Sequence, residues 1–379
     1  MSSHSGESHQ HSQQASSGTE ENPVTDEQYG VLKTENDPRP KEQIISTIAR
    51  RHPIELEERI DTLAKPLIIE CASPGWQPDE WPPEDAYPEG LPPNYTEPGD
   101  TRYPAVPCSL EDQADEIIAA AEAGCAAAHI HPRDPEDCLG TDDVDMLADI
   151  YRRIFEETDV VSVQHSWKIT PDNSIDYIDM AEQKLAAAGG SNKYIQGSVM
   201  LWPPFDSYPK KYTERMREGV EFYREHGIKP IHKVRSSYNT RRLYRDLNAT
   251  GLLDDDDGPL CVFHDMGHPF GWPLDQDPWM PIEMITSLEQ TKQRFPDDTV
   301  IGVCSGGRNW LPITIEAILR GVDYVRVGIE DYYWMYPHRD DVIQENIEVV
   351  NKIVDFCNLI GREVATPAQA REIMGIELT

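Results

Sequence analysis

Short runs of β-branched and other apolar residues alternate with longer amphipathic runs along most of the chain. The short runs predict strands, and the longer ones predict helices with one apolar face. Eight strands are predicted, at residues 66–72, 125–131, 159–165, 193–200, 228–234, 259–265, 299–305 and 322–328. Helices are predicted between them at residues 109–124, 144–157, 175–189, 212–227, 281–295, 312–321 and 339–360.

This alternation indicates an α/β fold. Strands separated by helices pair in parallel through right-handed crossovers. Eight such units over about 300 residues predict a (β/α)8 TIM barrel, whose functional residues lie at the C-terminal ends of the strands. A doubly wound parallel sheet stays open as the alternative, because one of eight strand predictions can be false.

Two segments fall outside the rhythm of strands and helices. Residues 1–40 are rich in Ser, His, Gln and Glu, which predicts a disordered acidic tail. Residues 41–64 have spaced apolar positions and a proline break, which predicts a short helical extension before a catalytic barrel domain at 65–379. The connection at 74–108 is long and rich in proline and aromatic residues, so we expect either a lid over the barrel mouth or an arm that contacts another subunit.

The charge balance changes this picture by excluding some partners. Acidic side chains number 68 and basic ones 34, which gives a net charge of −34. A nucleic-acid binder needs a cationic face, so we expect no nucleic-acid partner. Such an excess of acid is a solubility device of halophilic proteins, although an ordinary acidic enzyme is the alternative.

The cysteine pattern and the hydropathy bear on location. The seven cysteines are scattered and never form Cys-x-x-Cys, which predicts free thiols in a reducing compartment. No apolar run approaches the roughly 20 residues that a membrane-spanning helix needs, and the N-terminus resembles no signal peptide. We therefore expect a soluble cytoplasmic protein with no membrane partner.

Candidate metal ligands lie at the ends of two predicted strands. His129 and His131 are two residues apart, so both imidazoles can point to one face of the second strand. Glu330 follows the eighth strand, and strands two and eight flank strand one in a closed barrel. Two histidines and a glutamate with one open position suit a metal ion, although hydrogen-bonded histidines and a rim ion pair between Arg326 and Glu330 are the plain alternatives.

Two further loops carry polar residues at predicted strand ends. After the seventh strand, Ser305, Gly307 and Arg308 offer backbone N–H groups and a guanidinium to a phosphate or carboxylate. After the sixth strand, the residues from His264 to His268 form either a second metal site or a hydrogen-bonded rim.

A resemblance to the β-keto acid cleavage enzymes, of which 3-keto-5-aminohexanoate cleavage enzyme is the best-known, rests on three runs that span roughly residues 65–360. They are PLIIECA (66–72), SLEDQADEIIAAAEAGCAAAHIHPRD (109–134) and VDYVRVGIED (322–331). The resemblance implies a zinc-containing TIM barrel, a homo-oligomer and specifically a tetramer, that exchanges acyl groups between a β-keto acid and acetyl-CoA. It implies that His129, His131 and Glu330 hold Zn²⁺ or another divalent metal, and that Arg326 and Asp331 manage proton abstraction.

The chain departs from the family pattern at several pocket positions. Ser166 stands where the family has a hydroxyl group in a threonine- and glycine-rich turn. The family's glutamate after the first strand is missing, so Gln77 or an acid from the 74–108 connection would have to replace it. In the fifth strand, His232 is matched to a glutamate that pairs with a substrate ammonium, so we expect no aminated substrate. Gln196 and Ser198 are further expected substrate contacts.

Three functions therefore stand in competition at this level. The first is metal-dependent acyl transfer between a β-keto acid and acetyl-CoA by Claisen and retro-Claisen chemistry. The second is a metal-dependent hydrolase or aldolase that acts on a small keto acid without CoA, because the same Lewis acid serves either reaction. The third is a barrel that binds a metabolite without catalysis. A requirement for CoA separates the first two.

Overall fold

The computed structural model describes residues 63–73, 106–136, 138, 140–141, 143–165, 177–201, 210–253, 258–266, 280–332 and 334–379. The predictions for residues 1–62 and for most of the 74–108 connection lie outside this set. In the described part of the chain, no helix is long and apolar enough to cross a membrane.

Eight parallel strands form a closed barrel. Each strand pairs with the next along the chain, and the last pairs with the first. The TIM-barrel prediction is therefore confirmed, and the doubly wound sheet is excluded. The strands are β1 (Ile68–Ser73), β2 (Ala127–Ile130), β3 (Val161–His165), β4 (Gly197–Leu201), β5 (Lys229–Val234), β6 (Cys261–Met266), β7 (Val300–Ser305) and β8 (Tyr324–Val327).

Helices follow the strands on the outside of the barrel. The described helices are α1 (Leu110–Glu122), α2 (Val144–Glu157), α3 (Tyr177–Ala187), α4 (Lys210–Glu225), α5 (Ser237–Thr250), α6 (Met280–Arg294), α7 (Trp310–Leu319), α8 (Asn346–Ile360) and α9 (Pro367–Met374), with a 3-10 turn at Asn192–Tyr194. Two of them, α5 and α9, are absent from the sequence predictions. The buried face of α5 includes Asn239, Thr240 and Arg242, so its apolar periodicity is weak although its ends are well capped.

The alternation of side chains along each strand separates the barrel interior from its outer face. Phe263 and Tyr324 meet inside the barrel, with ring centroids 5.1 Å apart. Gln164 belongs to the outer face, because its amide donates to the hydroxyl of Tyr151 on α2. The barrel interior at the N-terminal ends of the strands is apolar. Ala370 and Met374 of α9 and Ile376 after it pack against the inward residues and close this end of the barrel.

The cysteine prediction is wrong for one pair. Cys108, before α1, and Cys138, in the loop after β2, form a disulfide with a Cα–Cα distance of 5.0 Å. The loop turns at Cys138, which has a φ of 64°. The two positions are neighbours because β1 and β2 are adjacent, a relationship that the spacing of the cysteines does not reveal. The other five cysteines are free, as predicted, and all five are buried.

Candidate active site

Two histidines and a glutamate converge at the C-terminal end of the barrel. His129 lies on the inner face of β2, His131 follows that strand, and Glu330 follows β8. The two Nε2 atoms are 3.0 Å apart, and the Glu330 carboxylate lies 3.4 Å from His129 Nε2 and 3.9 Å from His131 Nε2. All three ligand atoms fall within 4.8 Å of one another, so the sequence-predicted set is brought together by the structure.

The protonation and orientation of the histidines suit metal binding. The pKa of both imidazoles is lowered, mainly because the side chains are buried, and both are therefore neutral. The Nδ1 atom of His129 lies 2.8 Å from the Val163 carbonyl oxygen, so Nδ1–H donates there and the lone pair of Nε2 points to the cluster. A tetrahedral ion with bonds of about 2.0–2.2 Å separates its ligands by about 3.3–3.6 Å, so the three residues fit a divalent cation.

A buried ion network lies beside the cluster. The Arg326 guanidinium donates to both carboxylate oxygens of Asp331, with Nε–Oδ2 at 2.8 Å and NH2–Oδ1 at 3.0 Å. It also pairs with Glu330 and approaches Glu70, whose Oε1 is 3.7 Å from NH1. Burial raises the pKa of Asp331, and the Arg326 charge opposes that rise. One guanidinium thus fixes the orientation of a metal-ligand candidate and of the adjacent aspartate.

The backbone turn that carries Glu330 is held on several sides. Gly328 has a φ of 144°, and a Cβ there would collide with the Ala72 carbonyl oxygen. The next residue, Ile329, donates its N–H to Oδ1 of Asn346 at 2.8 Å. The Gly328 N–H donates to the hydroxyl of Tyr332 at 3.2 Å. A glycine is therefore required at this position to bring β8 into close contact with β1.

Glu70 is a buried acidic residue of the site that the sequence reasoning missed. It is 2% exposed, and the Tyr324 hydroxyl donates to its carboxylate. Burial raises its pKa to about 7, against the opposing charge of Arg326. The sequence signal for Glu70 was its position as the single acidic residue in the apolar run PLIIECA. An acidic side chain that points into a barrel needs polar or charged partners there, so its presence indicates a polar site.

Several predicted substrate contacts lie away from the metal-ligand cluster. Ser198 is opposite Gln164 in the β3–β4 register, which puts it on the outer face with Gln196 and, by the same alternation, His232. His232 borders a cavity of about 610 Å³ near the start of β5, together with Arg224, Lys229 and Arg371. Gln77 and Ser166 lie outside the described residues.

The loop after β7 borders the loop after β8. The Gly307 N–H donates to the Asp331 carbonyl oxygen at 3.1 Å, and Arg308 stacks over the Trp334 ring at 4.3 Å from its centroid. Ser305 is fully buried, and its side chain points from β7 toward the surrounding helices. Gly307 and Arg308 are thus near the candidate site, and their contacts within the chain tie the two loops together.

Of the two histidines predicted near the end of β6, the structure describes His264, which lies within the strand, whereas His268 lies outside the described residues. His264 lies on the outer face, where Nδ1 is 2.8 Å from Ser287 Oγ and Nε2 is 3.1 Å from Thr291 Oγ1. Both ring nitrogens of His264 are thus engaged in hydrogen bonds, which agrees with the predicted hydrogen-bonded alternative to a metal site. Asp265 instead points inward and pairs with Lys233 and Arg235 of the β5 end.

The comparison with known families decides the classification. The sequence model described as beta-keto acid cleavage enzyme matches residues 94–376, which is most of the barrel. The chain belongs to this family. The resemblance that rests on the HIHPRD and RVGIED runs is thereby confirmed.

Named relatives in this family differ in substrate. The 3,5-dioxohexanoate:acetyl-CoA acetone transferase of Paraburkholderia graminis is 25% identical over 72% of this chain and 90% of its own length. The 3-oxoadipate:acetyl-CoA acetyltransferase of Cupriavidus necator is 22% identical over 72% and 89%. A 3-keto-5-aminohexanoate cleavage enzyme of Acetoanaerobium sticklandii is 41% identical, but over only 22% of this chain and 29% of its own. Two of these three relatives have names that include acetyl-CoA.

Solved structures confirm the fold alone. The apo structure of ObcA matches with a TM-score of 0.53 and 15% identity, over 72% of this chain and 65% of that chain. A ternary complex of ObcA with a C4-CoA adduct and oxalate gives a TM-score of 0.54 at the same identity, over 72% and 68%. This chain therefore spans about two thirds of the ObcA chain.

Proposed function

We propose that this enzyme exchanges acyl groups between a β-keto acid and acetyl-CoA, with a divalent metal held by His129, His131 and Glu330. The observation that carries the proposal is the convergence of these three ligands beside the Arg326–Asp331 pair at the mouth of a family barrel. The acetyl-CoA relatives support CoA as the co-substrate.

Zinc is the metal that we propose for this site. Two neutral imidazoles and one carboxylate with a remaining open position form a ligand set that zinc enzymes use, although other divalent ions accept it. When bound, the cation would polarise the keto oxygen of the substrate and lower the cost of a carbanion beside it. The buried position of His129 and Glu330 would also keep bulk water from the ligands.

We assign proton transfer to Asp331 and orientation to Arg326. Asp331 removes a proton from the carbon between the keto and carboxyl groups, and its bidentate pair with Arg326 fixes the carboxylate. The carbon then bonds to the acetyl carbonyl carbon of acetyl-CoA, and CoA leaves as the thiolate. The thiolate attacks the original acyl carbonyl, and the old carbon–carbon bond breaks. Acetoacetate and a new acyl-CoA result, and the proton returns.

The remaining predicted residues are proposed as contacts in the pocket. Gly307 and Arg308 would contact the CoA phosphates or the substrate carboxylate, because they lie on the loop after β7 at the barrel mouth. Ser305 is the last residue of β7 and points away from the barrel interior, so it would support this loop from behind. Ser166 would supply a hydroxyl group to the substrate. Gln77, or an acidic residue of the 74–108 connection, would replace the family's glutamate. Gln196, Ser198 and His232 face away from the barrel interior, so we propose that they support the pocket wall without contacting the substrate.

The cellular setting is a further part of the proposal. The net charge of −34 suits a halophilic cytoplasm, where high salt screens self-repulsion. The resemblance supports a homo-oligomer, specifically a tetramer. We retain the division into a tail at 1–40, a helical extension at 41–64 and a catalytic barrel at 65–379.

The test is acyl transfer from acetyl-CoA across a panel of β-keto acids in multimolar salt, with the metal content of the same sample measured in parallel. We expect acetoacetate or a new acyl-CoA, and about one zinc per chain. A metal-loaded enzyme that turns over keto acids without CoA would overturn the proposal in favour of a hydrolase or aldolase. Absence of turnover with any member would favour a metabolite-binding barrel.

A further inference from the structure

A second charged cluster lies at the C-terminal ends of β5 and β6 and has no part in the chemistry proposed above. Lys233 is the last inward residue of β5, and Arg235 follows two positions later. Asp265 of β6 accepts from both, with its Oδ2 atom 3.3 Å from Lys233 Nζ and 3.2 Å from Arg235 Nε. Lys233 and Asp265 are almost fully buried, and Arg235 is 29% exposed. Arg235 is therefore the outermost member of the cluster.

This cluster lies across the barrel from the metal-ligand candidates. In the closed order of eight strands, β5 is three strands away from both β2 and β8. Both clusters belong to the interior, since Lys233 is opposite Phe263 in the β5–β6 register and Phe263 points into the barrel. The interior of an eight-stranded barrel holds side chains or one small ligand. A substrate that reaches from the metal-ligand candidates to Arg235 must therefore be a small molecule.

The cluster carries an excess of positive charge. Two cations share one carboxylate, which leaves one net positive charge inside a chain whose total charge is −34. Lys233 and Asp265 form the buried pair, so the excess charge belongs to the partly exposed Arg235, where an anion can reach it. In the described part of the chain, the side chain of Arg235 bonds to Asp265 through Nε, which leaves its two terminal nitrogens for another acceptor. A planar fork of this kind suits a carboxylate.

We propose that Lys233 and Arg235 bind a second carboxylate at the end of the substrate distant from the metal, so that the substrate is a β-keto dicarboxylic acid. This inference rests on the proposed function, because it names the substrate class of the same site. Asp265 acts as the positioning residue, since it holds the two cations side by side and sets the net charge of the subsite to one.

The substrate pair that tests this inference is 3-oxoadipate and 3-oxohexanoate, which differ only in a terminal carboxylate against a methyl group. We expect kcat/KM to be roughly 10- to 100-fold higher for 3-oxoadipate. In Arg235→Gln and in Lys233→Met, the ratio of the two kcat/KM values should fall by about tenfold or more, and Arg235→Lys should restore part of it. An equal ratio in the wild type, or an unchanged ratio in both variants, would overturn the inference.

Two control variants remove a cation elsewhere. Lys229→Met changes an inward lysine at the opposite end of the same strand, and Arg245→Gln removes an exposed arginine on α5. Both should keep the wild-type ratio. Circular dichroism and melting temperature in the same salt would identify variants that fail to fold.

A binding measurement separates failure of this inference from failure of the proposed function. Titration calorimetry with adipate and hexanoate on the metal-loaded protein needs no turnover. Tighter binding of adipate that is lost in Arg235→Gln supports the subsite even if no acyl transfer occurs. Equal binding of both acids would overturn the subsite even if acyl transfer is found.

Discussion

The Nε2 atom of His129 lies 3.4 Å from Oε2 of Glu330, although one residue belongs to β2 and the other follows β8. The two residues come together because β2 and β8 flank β1, where Ala72 is opposite His129 and Glu70 is opposite Arg326. The metal-ligand candidates therefore depend on closure of the barrel. No local segment of the chain contains the set.

Removing one ligand should remove the metal. His129→Ala and Glu330→Gln each leave two ligands, so we expect metal affinity to fall by more than about 100-fold and acyl transfer to disappear. Elemental analysis of the purified variants after dialysis checks this. His226→Ala changes an exposed histidine on the helix side of the barrel and should keep full occupancy. Full occupancy in both ligand variants would refute the assignment.

Asp331→Asn should separate proton transfer from metal binding. The amide keeps the volume and one hydrogen-bond acceptor for Arg326, but it cannot accept the substrate proton. We expect wild-type metal content and a folded protein whose melting temperature is lower, because Arg326 loses a buried charged partner, with kcat reduced about 10²- to 10⁴-fold. Exchange of the substrate α-hydrogen with deuterium, followed by NMR, should be lost in parallel. Near-normal exchange in this variant would remove Asp331 from the mechanism.

Glu70 should make stability depend on pH near neutrality. Burial raises its pKa from 4.5 to about 7, so the folded protein keeps this proton where the unfolded chain has lost it. The free energy of unfolding should therefore decrease as the pH rises from about 4.5 to about 7, by about 3 kcal/mol from this group. Below that window the effect is absent, because both states are protonated.

The variant Glu70→Gln tests this dependence. Denaturant unfolding at pH 5 and pH 8 should show a smaller loss of stability in Glu70→Gln than in the wild type, because the amide does not titrate. Glu225→Gln, on the exposed face of α4, should behave as the wild type does. If the wild type and Glu70→Gln lost the same stability between the two pH values, Glu70 would not be the group that titrates.

Gly328→Ala should damage the site more than an ordinary glycine substitution. Its added Cβ collides with the Ala72 carbonyl oxygen and lies 2.9 Å from Asn346 Oδ1, so β8 must move away from β1. We expect a loss of several kcal/mol of stability and of metal binding. The matched control is Gly361→Ala, which has a φ of 73° but open space around it. It should cost only about 1 kcal/mol and keep the metal.

The disulfide gives a countable prediction. Unfolded in guanidinium without reductant, the protein should present five reactive thiols per chain, and seven after reduction. The bond should stabilise the fold by about 3–4 kcal/mol through the loop it closes. Ellman's assay and peptide mapping of the fragment that joins Cys108 to Cys138 would measure it. Seven reactive thiols without reductant would show that Cys108 and Cys138 are not bonded, as the sequence analysis predicts.

Much of the architecture followed from local pattern. All eight strands were predicted, because β-branched runs between helices leave few other ways to bury both faces of a parallel sheet. His129, His131 and Glu330 were predicted from their positions at strand ends. Helix α5 was missed because Asn239 and Arg242 occupy its buried face, where the apolar period should have been.

The sequence by itself determined the order of strands and helices, the acidic surface and the strand ends on which polar residues stand, since these depend on neighbours along the chain. Only the tertiary structure decided which residues meet. Barrel closure joins His129 to Glu330, and the register puts Lys233 inside and His232 outside. The Cys108–Cys138 bond and the raised pKa of Glu70 likewise depend on groups distant in sequence. Burial and pairing are properties of the packed barrel, because they depend on which strands and loops enclose each side chain.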